Sequence, residues 1–381
     1  MLAHSSMEPN FISNAGETPV KAGETPARQA APAARKTHYL QPLQNFWYFA
    51  LPSAGLKRGR MQAVRLCSQN VLLGRTSEGA VFAMRNLCPH RSTPLHQGQF
   101  DGKEVQCHYH GWKFAPDGRC TLIPALCGAQ EHFGDRIRNR TYPCREAQGV
   151  IWVFVGDREP ERLPALPLIP DIGDAQPQAY CAITYPLNSD HTAFTFFDPA
   201  HVAFVHSSPF IRRRSHTIRH KLKEMQPAGL GWEVKRHPVP PDNLFYRLFG
   251  RGATTGIRYL LPGTRIEHVQ GEKHWAISVA TIAPVTDEET VVHQAFYWTF
   301  PYLAPIKGLI RYLIDHFLHE DRIYALKQRE GLEEQVPFML IGDADAQIQW
   351  FQRLRQAWLY AEAEGIPFEN PLTAQTLRFR S

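Results

Sequence analysis

Two short segments, CPHR at 88–91 and CHYHGWKF at 107–114, set the strongest limit on what this chain can fold into. Each offers one thiol and one imidazole from a single turn, Cys88 with His90 and Cys107 with His110. Four unrelated packed residues, a structural zinc, or a mixed two-iron centre could account for them. Unrelated packing fits poorly, because both pairs lie in turn-rich stretches. Tetrahedral zinc accepts two Cys and two His but usually draws on CxxC and HxxxH pairs. One Cys and one His from each loop suits a [2Fe-2S] cluster with thiolates on one iron and imidazoles on the other.

The 381 residues, 43% hydrophobic and 20% charged, are enough for two domains that each bury a core. A net charge of +6 with no basic and aromatic interleaving argues against a nucleic-acid groove, and the run Arg212, Arg213, Arg214 reads as solvated surface. The best candidate membrane segment, at 302–318, is broken by Lys307, Arg311 and Asp315, so no membrane span is expected. Without a charged-then-apolar leader at the start of the chain, a cytoplasmic location and reduced thiols at Cys67, Cys120, Cys127, Cys144 and Cys181 are expected.

Residues 1–38 repeat AGETP and hold almost no branched or aromatic side chains, which predicts a disordered tail. Over 39–157, strand-length apolar runs such as FWYFAL, VLLGR and GVIWVFVGD alternate with Gly and Asp-Gly turns, the pattern of an antiparallel all-β domain. Five prolines between 158 and 180 make a linker or crossing strap. From 181 to 381, strand patterns (RYLLPGTRIEHV, HWAISVATIAPV, TVVHQAFYWTF) precede two helical ones. Ala344, Ile348, Phe351, Leu354 and Trp358 recur at helical spacing, so the second domain reads as α+β with a C-terminal amphipathic helix on a sheet.

CPHR and CHYHGWKF resemble the two cluster loops of Rieske proteins, with Gly111 and Trp112 after the second His. The resemblance implies Cys88 and Cys107 on one iron and His90 and His110 on the other. Where respiratory Rieske proteins place a disulfide and a hydroxyl donor, this chain has Thr93, Tyr109 and Trp112. Fewer hydrogen bonds to the cluster imply a potential at the low end of the Rieske range.

Downstream, DPAHVAFVH places His201 and His206 after Asp198. Two imidazoles and a carboxylate leave coordination positions open, the facial triad of non-haem Fe(II) oxygenases. In this order the two motifs resemble Rieske non-haem oxygenases. NFWYFAL, DPAHVAFVH and HEDRIYALKQ are similar to the branch of pheophorbide a oxygenases and vanillate demethylase-type monooxygenases. That branch implies an all-β Rieske domain followed by an α+β helix-grip (START-like) catalytic domain with an antiparallel sheet. It implies iron on His201 and His206 with Asp321 as third ligand, against the rivals Asp315, Asp343 and Asp345. Asp198 is implied as a bridge from His201 to the partner subunit's His110 in a head-to-tail homotrimer. Phe194 and Thr195 stand where many relatives have Glu-Asn, and Asp190 and His191 take no role.

The implied reaction is monooxygenation, a hydroxylation or an oxidative demethylation, with O2 as co-substrate. No GxGxxG follows a strand, so electrons from NAD(P)H would arrive through a separate ferredoxin or flavin reductase. The substrate is expected to be a small apolar or aromatic molecule, in a pocket near the phenylalanines of TAFTFF. A cis-dihydroxylating dioxygenase and a non-catalytic electron carrier are the alternatives.

Overall fold

A computed structural model of the protein describes residues 41–206, 220–239, 245–334, 336 and 338–380. The expected N-terminal tail and the Arg212–Arg214 run lie outside the described residues. The first strands are β1 (Phe46–Pro52), β2 (Arg60–Leu66), β3 (Gln69–Arg75) and β4 (Val81–Arg85). Four short ones follow, β5 (Gln99–Phe100), β6 (Val105–Gln106), β7 (Lys113–Phe114) and β8 (Cys120–Leu122). Then come β9 (Thr141–Tyr142), β10 (Cys144–Ala147) and β11 (Val150–Val155). They form three antiparallel sheets, ordered β1-β11-β10, β2-β3-β4-β9 and β5-β6-β7-β8.

The next strands are β12 (Ala179–Tyr185), β13 (His220–Ala228), β14 (Gly231–Pro238), β15 (Thr254–Leu260), β16 (Thr264–Gln270), β17 (Trp275–Pro284), β18 (Thr290–Trp298) and β19 (Gln375–Arg380). They form one antiparallel sheet, ordered β12-β18-β17-β16-β15-β14-β13-β19. The helices are α1 (Ser189–Phe197), α2 (Val202–Val205), α3 (Lys307–Glu333) and α4 (Ala346–Glu364). On the inner face, Trp232 of β14 meets Phe197 of α1 and Trp350 of α4 at ring centroids of 5.5 and 6.1 Å. The expected amphipathic helix is therefore α4, ended by Gly365 in the left-handed region at φ 64°. α3 runs along β12, where the Tyr185 hydroxyl donates to the Leu318 carbonyl at 2.9 Å and Arg322 donates to the Thr184 carbonyl at 2.8 Å.

The outer face of the large sheet is covered by the sheet β1-β11-β10. Trp47, Phe49, Trp152 and Phe154 share one core with Ile266, Ile277, Val279 and Tyr297. Every residue of β11 is buried, because the strand is covered on both faces. Each such large apolar side chain contributes about 1.5–3 kcal/mol on burial. The proline-rich strap crosses this junction, held by the Gln148 amide, which donates to the Ile169 and Gly173 carbonyls at 2.8 and 3.0 Å.

Candidate metal centres

The first cluster of ligand-type residues sits on the loops between β4 and β5 and between β6 and β7. The loops close alike. The Cys88 amide donates to the Thr93 carbonyl and the Ser92 amide to the Cys88 carbonyl, both at 2.8 Å. The Cys107 amide donates to the Trp112 carbonyl at 2.8 Å, and the Gly111 amide to the Cys107 carbonyl at 3.0 Å. Ser92 and Gly111 both occupy the left-handed region, at φ 53° and 71°, which turns each chain back after its histidine. Both cysteines are buried, whereas His90 is exposed and His110 half-buried, their rings 4.6 Å apart. Trp112 stacks on His90 at 4.7 Å and sets the ring's orientation.

Burial pushes the Cys88 thiol up to about 11, and the neighbouring Cys107 adds to the rise, so a bound cation would favour the Cys88 thiolate. Among the described residues, only His201, His206 and Asp321 bring three ligand atoms within 4.8 Å of one another. The two cysteines and two histidines are spread more widely than one zinc ion allows, and a two-iron cluster fits them better.

That second trio is assembled by local breaks in helix. Asn188 caps α1, its side chain accepting from the His191 amide at 2.9 Å. Pro199 ends the helix one residue after Asp198, so His201 starts the single turn of α2 and His206 ends it. Asp321 comes from the middle of α3, in line with buried Leu318 and Ala325 at i, i+3 and i+7. Its Oδ1 lies 3.5 Å from His201 Nε2 and 3.3 Å from His206 Nε2. Asp321 Oδ1 and His206 Nε2 are buried with no hydrogen-bonding partner in the protein, and they face each other, as ligands to a shared cation do. Burial pushes the Asp321 carboxyl up to about 7; His201 opposes the rise, and Glu320 and Asp198 add to it. Burial also pushes His206 down to about 4, against the pull of Glu320, and so favours the neutral imidazole, the form able to ligate a metal.

Two supporting carboxylates complete the geometry. Asp198 Oδ2 lies 3.5 Å from His201 Nδ1, while its Oδ1 accepts from the Ala200 amide at 2.6 Å. Glu320 Oε2 accepts from His206 Nδ1 at 3.0 Å, a role the sequence reading missed; the adjacent acidic pair on α3 was its only signal. Phe317, also missed, stacks on His206 at 3.7 Å.

The rival acids are elsewhere. Asp315 faces His319 near the surface at 3.4 Å, Asp343 accepts from the Arg378 amide, and Asp345 accepts from the Ile341 amide. Asp190 is buried against Arg355 at 2.8 Å, and His191 is half-buried with Nδ1 2.9 Å from Asn188 Oδ1. Thr195 is half-buried on α1, one turn before Asp198. Phe194, Phe196 and Phe197 pack into the core while Phe204 is 73% exposed, so the phenylalanines expected to form a pocket mainly hold α1 in place.

Residues 46–133 match the Rieske [2Fe-2S] domain family. The chain is 31% identical over 202 residues to 4beta-methylsterol monooxygenase of Methylococcus capsulatus, 53% of this chain and 52% of that protein. It is 30% identical over 207 residues to the chloroplastic chlorophyllide a oxygenase of Arabidopsis thaliana, 54% of this chain and 37% of that one. The chain thus spans about half or less of these relatives' lengths. Its fold is similar to that of dicamba monooxygenase bound to dicamba, with TM-score 0.67 at 21% identity over 84% of this chain and 98% of the other. The expected Rieske domain and mainly antiparallel fold are borne out, and no helix among the described residues is long and apolar enough to cross a membrane. With the cluster loops inside the matched segment and oxygenases among its relatives, the chain carries a Rieske domain and is homologous to Rieske oxygenases.

Proposed function

We propose that this chain is the oxygenase component of a Rieske monooxygenase system acting on a small apolar or aromatic molecule. The observation that carries the reading is the meeting of His201, His206 and Asp321 within 4.8 Å in a chain that also has a Rieske domain. NAD(P)H supplies two electrons through a separate reductase; one atom of O2 enters the substrate and the other leaves as water. Iron held by His201, His206 and Asp321 would supply the activation of O2.

The chain's own residues orient these groups. Glu320 accepts the His206 Nδ1 proton and so turns the Nε2 lone pair toward Asp321 and the iron position. Asp198 stands 3.5 Å from His201 Nδ1, close enough to orient that ring by charge without a hydrogen bond. The buried Cys88 and Cys107 would hold one iron of a [2Fe-2S] cluster, and the more exposed His90 and His110 the other. The surface position of His90 and the half-buried position of His110 support electron entry and exit through those imidazoles. A head-to-tail trimer, in which Asp198 links His201 to the partner subunit's His110, completes this reading. The five cysteines outside the cluster loops, none in a disulfide, suit a reducing compartment such as the cytoplasm.

Metal and sulfide analysis of the purified protein tests the proposal. Three irons and two labile sulfides per chain are expected, with a rhombic electron-spin signal after dithionite reduction. Two irons would leave an electron carrier, and zinc without colour would overturn both centres.

A further inference from the structure

The inner face of the large sheet carries more cationic charge than its acids neutralise. Directly opposed strand residues share a face, so the pairs Tyr259↔Arg265, Ile257↔Glu267 and Val234↔Ile257 place Arg265 and Glu267 on the side of α1 and α4. Met225 opposes Val234, and Lys223, two residues earlier on β13, shares its face. This face continues to the metal-site turn: Tyr259 packs on Phe197 at 5.1 Å, next to Asp198, and Lys221 Nζ donates to the Pro199 carbonyl at 3.4 Å.

Arg265 donates to Glu267 at 2.7 Å, and the same carboxylate accepts from Thr255 and Tyr246 at 3.2 and 3.3 Å. Glu267 is thus already engaged. Lys223, on the same face three strands away, is half-buried, and among the described residues it makes no hydrogen bond or ion pair. Burial lowers the Lys223 ammonium from its usual range, Glu267 opposing and Arg265 adding to that effect. Further along the face, the Gln294 amide donates to the Ser278 hydroxyl at 2.8 Å, another polar pair where a plain core would be apolar. A half-buried lysine on the inner face of the sheet, with no partner among the described residues, is a cation available to a ligand.

We propose that Lys223, with Arg265, binds an anionic group of the substrate, a carboxylate or a sulfonate, and so presents the carbon to be oxidised to the His201, His206 and Asp321 centre. This rests on the oxygenase reading above and narrows it from apolar or aromatic molecules to apolar or aromatic acids. Lysine and arginine together suit such a group, one as a mobile point charge and the other as a planar fork.

The test is calorimetric binding to the full-length, iron-loaded protein. The probes are benzoate, 1-naphthoate and benzenesulfonate, each against its neutral methyl ester or primary amide. The anion of at least one pair is expected to bind about tenfold or more tightly than its neutral counterpart. Lys223→Met should erase that gap while keeping the thermal midpoint and the cluster's absorption, and Lys223→Arg should retain it. Should Lys223→Met fail to fold, Lys223→Gln takes its place. Equal affinity within every pair, no binding by any anion, or a gap that survives loss of the lysine's charge would overturn the proposal. A missing third iron would instead fail the oxygenase reading, and iron analysis of the same sample separates the two.

Discussion

Glu320 Oε2 lies 3.0 Å from His206 Nδ1, and the next residue, Asp321, puts Oδ1 3.3 Å from the Nε2 of the same ring. One imidazole is therefore hydrogen-bonded at Nδ1 and faced at Nε2 by consecutive residues of α3. The first carboxylate fixes the tautomer, and the second stands where the two could share a metal ion. Glu320→Ala should weaken iron retention by about 10-fold or more, with the cluster intact. Chelator competition followed by iron and sulfide analysis measures it.

His201→Ala removes one of only two imidazoles in the trio and touches nothing in the loops of Cys88 and Cys107. The variant should contain two irons per chain in place of three and lose O2-dependent turnover. Its visible absorption should match that of the parent protein. Turnover at the parent rate would reject His201 as a ligand.

Gly98 lies between the two cluster loops, and a Cβ there would come 2.0 Å from the Gln106 carbonyl oxygen. That atom is backbone and immediately precedes Cys107, so it cannot yield without moving the second loop. Gly98→Ala should therefore lower labile sulfide well below two per chain, while the helices keep their far-ultraviolet dichroism.

Asp190 and Arg355 form a buried pair at 2.8 Å with side chains 5% and 2% exposed. Arg355→Met leaves the carboxylate of α1 without its counter-charge and should destabilise the protein by about 3–5 kcal/mol. Replacing both, with Asp190→Leu added, should recover much of that loss. Urea denaturation of the two variants against the parent gives the comparison.

His293 is stacked on Phe49 at 4.5 Å and hydrogen-bonded to the Tyr180 hydroxyl at 2.7 Å, and burial pushes its imidazole down to about 3. The unfolded chain binds this proton near pH 6.5. The group's contribution is thus fully present above about pH 6.5 and is lost as pH falls toward 3, at up to about 1.4 kcal/mol per pH unit. His293→Phe should flatten the fall in stability between pH 6 and 4. A slope identical to that of the parent protein would count against the assignment.

The parts legible in the sequence are those whose geometry is local. Cys88 with His90, Cys107 with His110, and His201 with His206 each stand within five residues, so one turn sets each spacing, and α4 shows in its helical period. Strands β12, β13, β14 and β19 went unread: β12 starts inside the expected proline-rich strap, and the other three alternate Lys, Glu and Arg with apolar residues near the sheet edge and lack a compact apolar run. Folding alone brought Asp321 to its two histidines while leaving Asp315, Asp343 and Asp345 away from them, and it set Glu320 behind His206 across 114 residues of chain. It also placed Lys223, from one of the unread strands, on the same face of the sheet as Arg265 and Glu267. A carboxylate's own neighbours in sequence do not record which distant groups share its burial, and that burial decides whether it becomes a surface charge or a ligand.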